Sequence, residues 1–209
     1  MIVPQHKLLF IHITKTAGQS ITEFILKNIN AKIDIDNNLN YGLLLNKDNL
    51  LPGPSHYHHL FLSEYLENKI IPVNDIESYF KFAVLRNPFD RFVSAYYFQE
   101  LYKQYDSYYD FTAKITKLSN KNDKLYRMFC PQIEYILPVG NTNKFFTVDN
   151  INDAFEFLCK RYNFKSITIH KNQNKYKVNK LDSKTQDFIK DFYFDDFELF
   201  HEVKNERRN

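Results

Sequence analysis

One pattern occurs twice in this chain and constrains its fold more than anything else. A short apolar run leads into a polar turn with a cation and small hydroxyl residues, and the turn opens an amphipathic helix. The first copy runs from Leu8 to Ile25 (LLFIHITKTAGQSITEFI) and the second from Tyr79 to Phe98 (YFKFAVLRNPFDRFVSAYYF). Apolar runs of this length predict strands buried on both faces. Strands that alternate with helices predict an α/β fold with a parallel sheet covered on both sides, and right-handed crossovers bring both turns to the carboxyl edge of that sheet.

In the first copy, Leu8 to Ile13 reads as the strand and Thr14-Lys15-Thr16-Ala17-Gly18 as the turn. Ser20 with Glu23 three residues later forms a capping-box signature for a helix carrying Ile21, Phe24, Ile25 and Ile29 on one face. A helix start presents free N–H groups and positive dipole, so anions bind there readily. Lys15 adds charge, Thr16 and Ser20 add hydroxyls, and Gly18 lets the backbone come close. The turn is not a Walker A loop, because Lys15-Thr16 precedes the glycine where that motif ends Gly-Lys-Ser/Thr. A kinase or GTPase reading loses weight accordingly.

In the second copy, Phe80 to Leu85 reads as the strand, and Asn87, Pro88 and Asp90 take the N-cap, N1 and N3 positions of the next helix. Phe89, Phe92, Val93 and Tyr96 form its buried stripe. Arg86 at the strand end and Ser94 two turns in are left to serve a ligand, since helical side chains lean toward the N-terminus. An arginine and a hydroxyl make a phosphate clamp. Asp90 and Arg91 read as a structural pair or as solvated surface. Two anion turns of this kind suggest a doubly phosphorylated nucleotide.

The pair HITKTAGQS and VLRNPFDRFVSAYY resembles the two cofactor motifs of the sulfotransferase family that includes heparan-sulfate and chondroitin/dermatan sulfotransferases and bacterial relatives. The resemblance continues through SHYHHLFLSEYLE, PQIEYI, ITIHKNQNKYKV and IKDFYFDDFELF, so it covers nearly the whole chain. It implies a P-loop-NTPase-like central parallel sheet flanked by helices and a donor, 3′-phosphoadenosine 5′-phosphosulfate (PAPS). By the same resemblance Lys15, Thr16, Ala17, Gly18, Gln19 and Ser20 would hold the 5′-phosphosulfate, Arg86 and Ser94 the 3′-phosphate, and a carbohydrate hydroxyl would be the acceptor. Around KFFTVDN the family commonly shows an arginine and a glutamate. Thr147, Val148 and Asp149 stand there instead.

Sulfuryl transfer also needs a base for the acceptor hydroxyl, and histidine suits neutral pH. Three of the seven histidines, His56, His58 and His59, sit together between the two cofactor motifs. Aligning Leu60-Phe61-Leu62-Ser63-Glu64 with the family pattern places the base at His59, with His58 and His56 as rivals and Lys15 stabilising the leaving group. No cysteine or carboxylate stands at a ligand spacing from the cluster, so no metal is expected. A surface loop without a role is the competing reading of these histidines, since Pro52, Gly53 and Pro54 mark a turn just ahead. His12 reads as a core residue inside a strand, and His170 as part of a loop over the nucleotide.

At 209 residues and 44% hydrophobic content the chain suits one domain, 1–209. Its net charge of +3 is too small to argue for nucleic acid. No apolar run reaches the roughly twenty residues of a membrane span and no leader is evident, so a cytoplasmic protein is expected. Lys144 to Val148 and Ser166 to Ile169 read as later strands, Asp153 to Tyr162 as the helix between them, and Ser183 with Gln186 as the cap of a helix through Phe194. Tyr102, Tyr105, Tyr108 and Tyr109 lie in a stretch suited to an acceptor cleft. Two other classes compete: a nucleotide-dependent phosphotransferase of related fold, and an inactive module that binds a nucleotide or glycan.

Overall fold

The computed structural model describes residues 1–31, 59–68, 70, 71, 73–137, 142–169 and 181–206. Its sheet consists of β1 (Ile2–Val3), β2 (Leu8–Ile11), β3 (Phe80–Leu85) and β4 (Lys144–Thr147), in that spatial order. β2, β3 and β4 are parallel, with Ile11 opposite Ala83 and Leu85 opposite Thr147. β1 is antiparallel to β2, so the sheet is mixed where a purely parallel one is expected from sequence. The cause is local: one turn of 3-10 helix, Pro4–His6, folds the chain back within four residues.

Helices surround the sheet: α1 (Gly18–Asn28), α2 (Leu62–Glu67), α3 (Val73–Ile76), α4 (Pro88–Phe98), α5 (Tyr108–Ile115), α6 (Lys124–Phe129), α7 (Gln132–Ile136), α8 (Ile151–Tyr162), α9 (Ser183–Phe192) and α10 (Phe194–Glu206). Strand alternation divides the core into two faces. Leu8, Phe10, Phe82, Val84 and Phe146 pack against α1 and α8 through Ile21, Phe24, Ile25, Ala154 and Leu158. Leu9, Ile11, Ala83 and Leu85 pack on the other face against Leu62, Tyr65, Tyr135, Ile136 and Phe200. A third cluster joins α4, α5, α6 and α9 through Phe92, Phe111, Phe129 and Ile189. Burying each of the Leu, Ile, Val and Phe side chains contributes about 1.5–3 kcal/mol. No described helix is long and apolar enough to cross a membrane.

Several expected boundaries shift. β2 stops at Ile11, so His12 lies just past the strand and not inside it. α1 begins at Gly18 with Ala17 as its N-cap, three residues before the N-cap that Ser20 and Glu23 suggest, and Glu23 pairs with Lys27 at 2.6 Å instead of capping. Residues 166–169 form no strand. The Lys165 N–H goes to the Asn28 side chain at 2.6 Å, and Phe164 and Ile169 sink into the core beside α1 and α8. The cap of α9 is Asp182, which accepts from Thr185 N at 2.9 Å, and the helix ends at Phe192. The tyrosine-rich stretch after α4 is helical: Tyr105 and Tyr108 pack against the third cluster, whereas Tyr102 and Tyr109 are exposed.

Candidate active site

The turn between β2 and α1 has an unusual backbone. Lys15 (φ 64°) and Ala17 (φ 62°) both occupy the left-handed region, which L-residues enter at a cost. Alternating conformations of this kind turn successive N–H groups to one side and form an anion-binding nest. Among the described residues, no backbone hydrogen bond engages the N–H of Lys15, Thr16, Ala17 or Gly18. They lead into the N-terminus of an 11-residue helix, whose dipole adds to the same field. Thr16 contributes backbone more than hydroxyl. Its fully buried side chain donates to the Ile13 carbonyl at 2.9 Å.

Gly18 is required by a close approach. A Cβ at this position would lie 1.9 Å from Cδ2 and Nε2 of the buried His12 ring. That ring stacks on Phe10 at 5.3 Å and meets the His59 ring edge-on at 4.5 Å. Gly18→Ala is expected to cost about 1–3 kcal/mol in urea unfolding, the usual cost of overpacking. In a His12→Ala background the cost should fall by at least about half, because the overlapping partner is gone.

His59 is anchored at two points. Its Nδ1 lies 3.0 Å from the His12 carbonyl oxygen, and its own carbonyl accepts from Arg127 Nη1 at 2.9 Å. A carbonyl can only accept, so Nδ1 carries the proton and the lone pair of a neutral ring resides on Nε2. Arg127 is itself locked in place. It is bidentate to Glu64 at 2.5 and 2.9 Å, with side-chain exposures of 3% and 10%, and it stacks on Phe61 at 4.5 Å. Glu64 also receives the Phe61 N–H at 2.7 Å. The start of α2, and His59 just before it, are therefore fixed by α6. His56, His58 and His170 lie outside the described residues.

The second turn matches expectation closely. Asn87 Oδ1 accepts from Phe89 N at 3.0 Å, Pro88 takes N1 and Asp90 lies in the first turn of α4. Arg86 joins the two turns, its Nη1 donating to the Lys15 carbonyl at 3.1 Å. Its backbone is gripped by Gln132, whose amide accepts from Arg86 N and donates to Arg86 O, both at 2.9 Å. Buried Asp196 on α10 receives the N–H of Gln132 at 2.8 Å and of Ile133 at 2.9 Å. Ser94 is buried, and its hydroxyl has no hydrogen-bond partner among the described residues. Buried polar atoms are ordinarily satisfied, so an orphan hydroxyl one turn from the end of α4 suits a ligand oxygen.

Arg91 differs from expectation. It is neither solvated nor paired with Asp90: it is 2% exposed and donates to the Thr14 carbonyl at 3.1 Å, the Thr14 hydroxyl at 3.0 Å and the Cys130 carbonyl at 2.8 Å. Thr14 in turn donates to the Arg127 carbonyl at 3.0 Å. Arg91 thus braces the first turn from beneath. Its position three residues before Ser94, on the same side of the helix, is the signal that could have shown this. Arg127, Gln132 and Asp196 carry no local signal, since their partners are remote in sequence.

Electrostatically the site is cationic. Burial, and then Arg86 nearby, pulls the Lys15 ammonium down to about 8. Burial lowers Arg86 as well, against the carboxylates of Asp90 and Asp149. Asp149, where the family commonly differs, pairs with Lys204 at 2.9 Å. No group of three or more His, Cys, Asp or Glu among the described residues could hold a metal ion.

A family model for sulfotransferases matches residues 1–135. No curated protein and no solved structure matches the chain. The matched stretch holds the nest at Lys15 to Gly18, the anchored His59, the Arg86 turn with Ser94, and the Gln132 that grips it. On that match, which spans well over half of its length, the chain belongs to the sulfotransferase family.

Proposed function

We propose that this sulfotransferase takes its sulfuryl group from PAPS and places it on a carbohydrate hydroxyl, with His59 as the base. The observation that carries the donor assignment is the Arg86 to Lys15 hydrogen bond of 3.1 Å, which sets two cationic turns side by side at one sheet edge. A nucleotide with phosphates at both ends of its ribose spans such a pair. The free N–H groups of Lys15 to Gly18, with Gln19 and Ser20 at the helix start, suit the 5′-phosphosulfate. Arg86 and the unpartnered Ser94 hydroxyl suit the 3′-phosphate.

In this reading the chain supplies position, charge and one proton acceptor. His59 Nε2 takes the acceptor hydroxyl proton as the acceptor oxygen bonds to sulfur. The bond from sulfur to the bridging oxygen breaks, and its electron pair stays on the departing 5′-phosphate. The Lys15 ammonium stabilises that developing charge. His12 holds the imidazole through its carbonyl, and Gly18 keeps the ring of His12 against the anion turn.

Calorimetry with 3′-phosphoadenosine 5′-phosphate, ADP and ATP tests the donor assignment. Charge-assisted hydrogen bonds contribute about 1.5–3 kcal/mol, so the 3′-phosphate should tighten binding about ten- to a hundredfold, and Arg86→Ala should abolish that gain. Affinity should also decline as pH rises above about 8, because Lys15 loses its charge there in the free protein. Equal affinity with and without the 3′-phosphate would overturn the assignment and favour a phosphotransferase.

A further inference from the structure

Phe98 combines exposure with a charged partner. It is 55% exposed at the end of α4, yet Lys15 Nζ lies 3.9 Å from its ring centroid. Phe92, Val93 and Tyr96 of the same helix are buried in the helical cluster, so packing accounts for them and not for Phe98. Ser94 lies one turn earlier on the same stripe, which places the ring on the face of α4 that also offers the orphan hydroxyl. The Lys15 backbone carbonyl is held by Arg86 Nη1 at 3.1 Å. A lysine side chain is long and rotamer-rich, and left alone it would range through solvent.

We propose that Phe98 is a positioning residue for Lys15: its exposed ring face holds the ammonium beside the anion nest, so that transfer depends on an aromatic side chain at this position. The inference rests on the reading that Lys15 stabilises the leaving group. An ammonium over an aromatic face at a partly exposed site gains enough to change an equilibrium about two- to fivefold. The lowered Lys15 value, near 8, agrees with a partly dehydrated ammonium whose charged neighbour is Arg86. A misplaced ammonium acts on the transition state more than on ground-state binding, so the loss should appear in kcat and not in the donor KM.

Two measurements on the full chain test this. In the nucleotide-free protein, the Lys15 ε-methylene NMR signals, assigned by their loss in Lys15→Arg, should be shifted upfield by the ring. Phe98→Leu should return them to the ordinary lysine position, and Phe98→Tyr should keep the shift. In transfer assays Phe98→Leu should lower kcat about two- to fivefold with the donor KM changed less than about twofold, and Phe98→Tyr should restore kcat. Unshifted Lys15 signals in the unsubstituted protein, or equal kcat for the Leu and Tyr variants, would overturn the proposal. Absence of transfer by the unsubstituted protein would instead overturn the functional reading beneath it. The spectra need no nucleotide and would still decide the Lys15–Phe98 contact.

Discussion

His59→Ala should lower the rate of sulfuryl transfer about a hundred- to ten-thousandfold, the range for losing a positioned general base, while nucleotide affinity changes less than about threefold. The separation follows from the geometry. His59 Nδ1 bonds to the His12 carbonyl, and the residue is anchored through its own carbonyl by Arg127, so these contacts lie outside the Lys15 to Gly18 backbone. Removing the imidazole therefore deletes the proton acceptor and leaves the anion site standing. Initial rates together with calorimetry check both halves. Imidazole added to the assay should recover part of the rate. Full activity in His59→Ala, with loss in His58→Ala or His56→Ala, would move the base to one of those neighbours.

The second large effect belongs to Arg127→Met. The substitution leaves Glu64 buried without its cation, and breaking a buried pair by removing one partner costs about 3–5 kcal/mol. It also removes the donor to the His59 carbonyl and the stacking on Phe61. Urea unfolding should show the loss. In the double variant Arg127→Met/Glu64→Met no charge is stranded, and at least about half of the stability should return. Activity should not return with it, because the double variant still lacks the anchor for His59. That split separates the arginine's contribution to the fold from its contribution to the site.

How far the site was legible depended on whether its signals were local. The start of α4 was plain because Asn87 and Pro88 dictate a cap and a first turn through their own chemistry, and β3 followed from its apolar run. The start of α1 differs from its sequence pattern because Ser20 and Glu23 imitate a capping box. The real start is set by left-handed backbone at Lys15 and Ala17, which no side-chain pattern announces. Residues 166–169 look like a strand by composition, but their core contacts are made without a strand partner. The braces that hold the site were invisible for a different reason. Arg91 reaches Thr14 across 77 residues, Arg127 reaches Glu64 across 63 and Gln132 reaches Asp196 across 64, so each exists only once the chain has folded. Lys15, Arg86 and Ser94 stand out as candidates in the sequence, whereas the hydrogen bonds that tie Arg86 to Lys15 and to Gln132 do not.

The most direct test of the account is transfer of radiolabelled sulfur from PAPS to a panel of glycans, with the released nucleotide measured alongside. The account predicts label on at least one carbohydrate acceptor and 3′-phosphoadenosine 5′-phosphate released in equal amount. Tight nucleotide binding with no label on any acceptor would contradict it, and would make the protein a binding module built on a sulfotransferase fold.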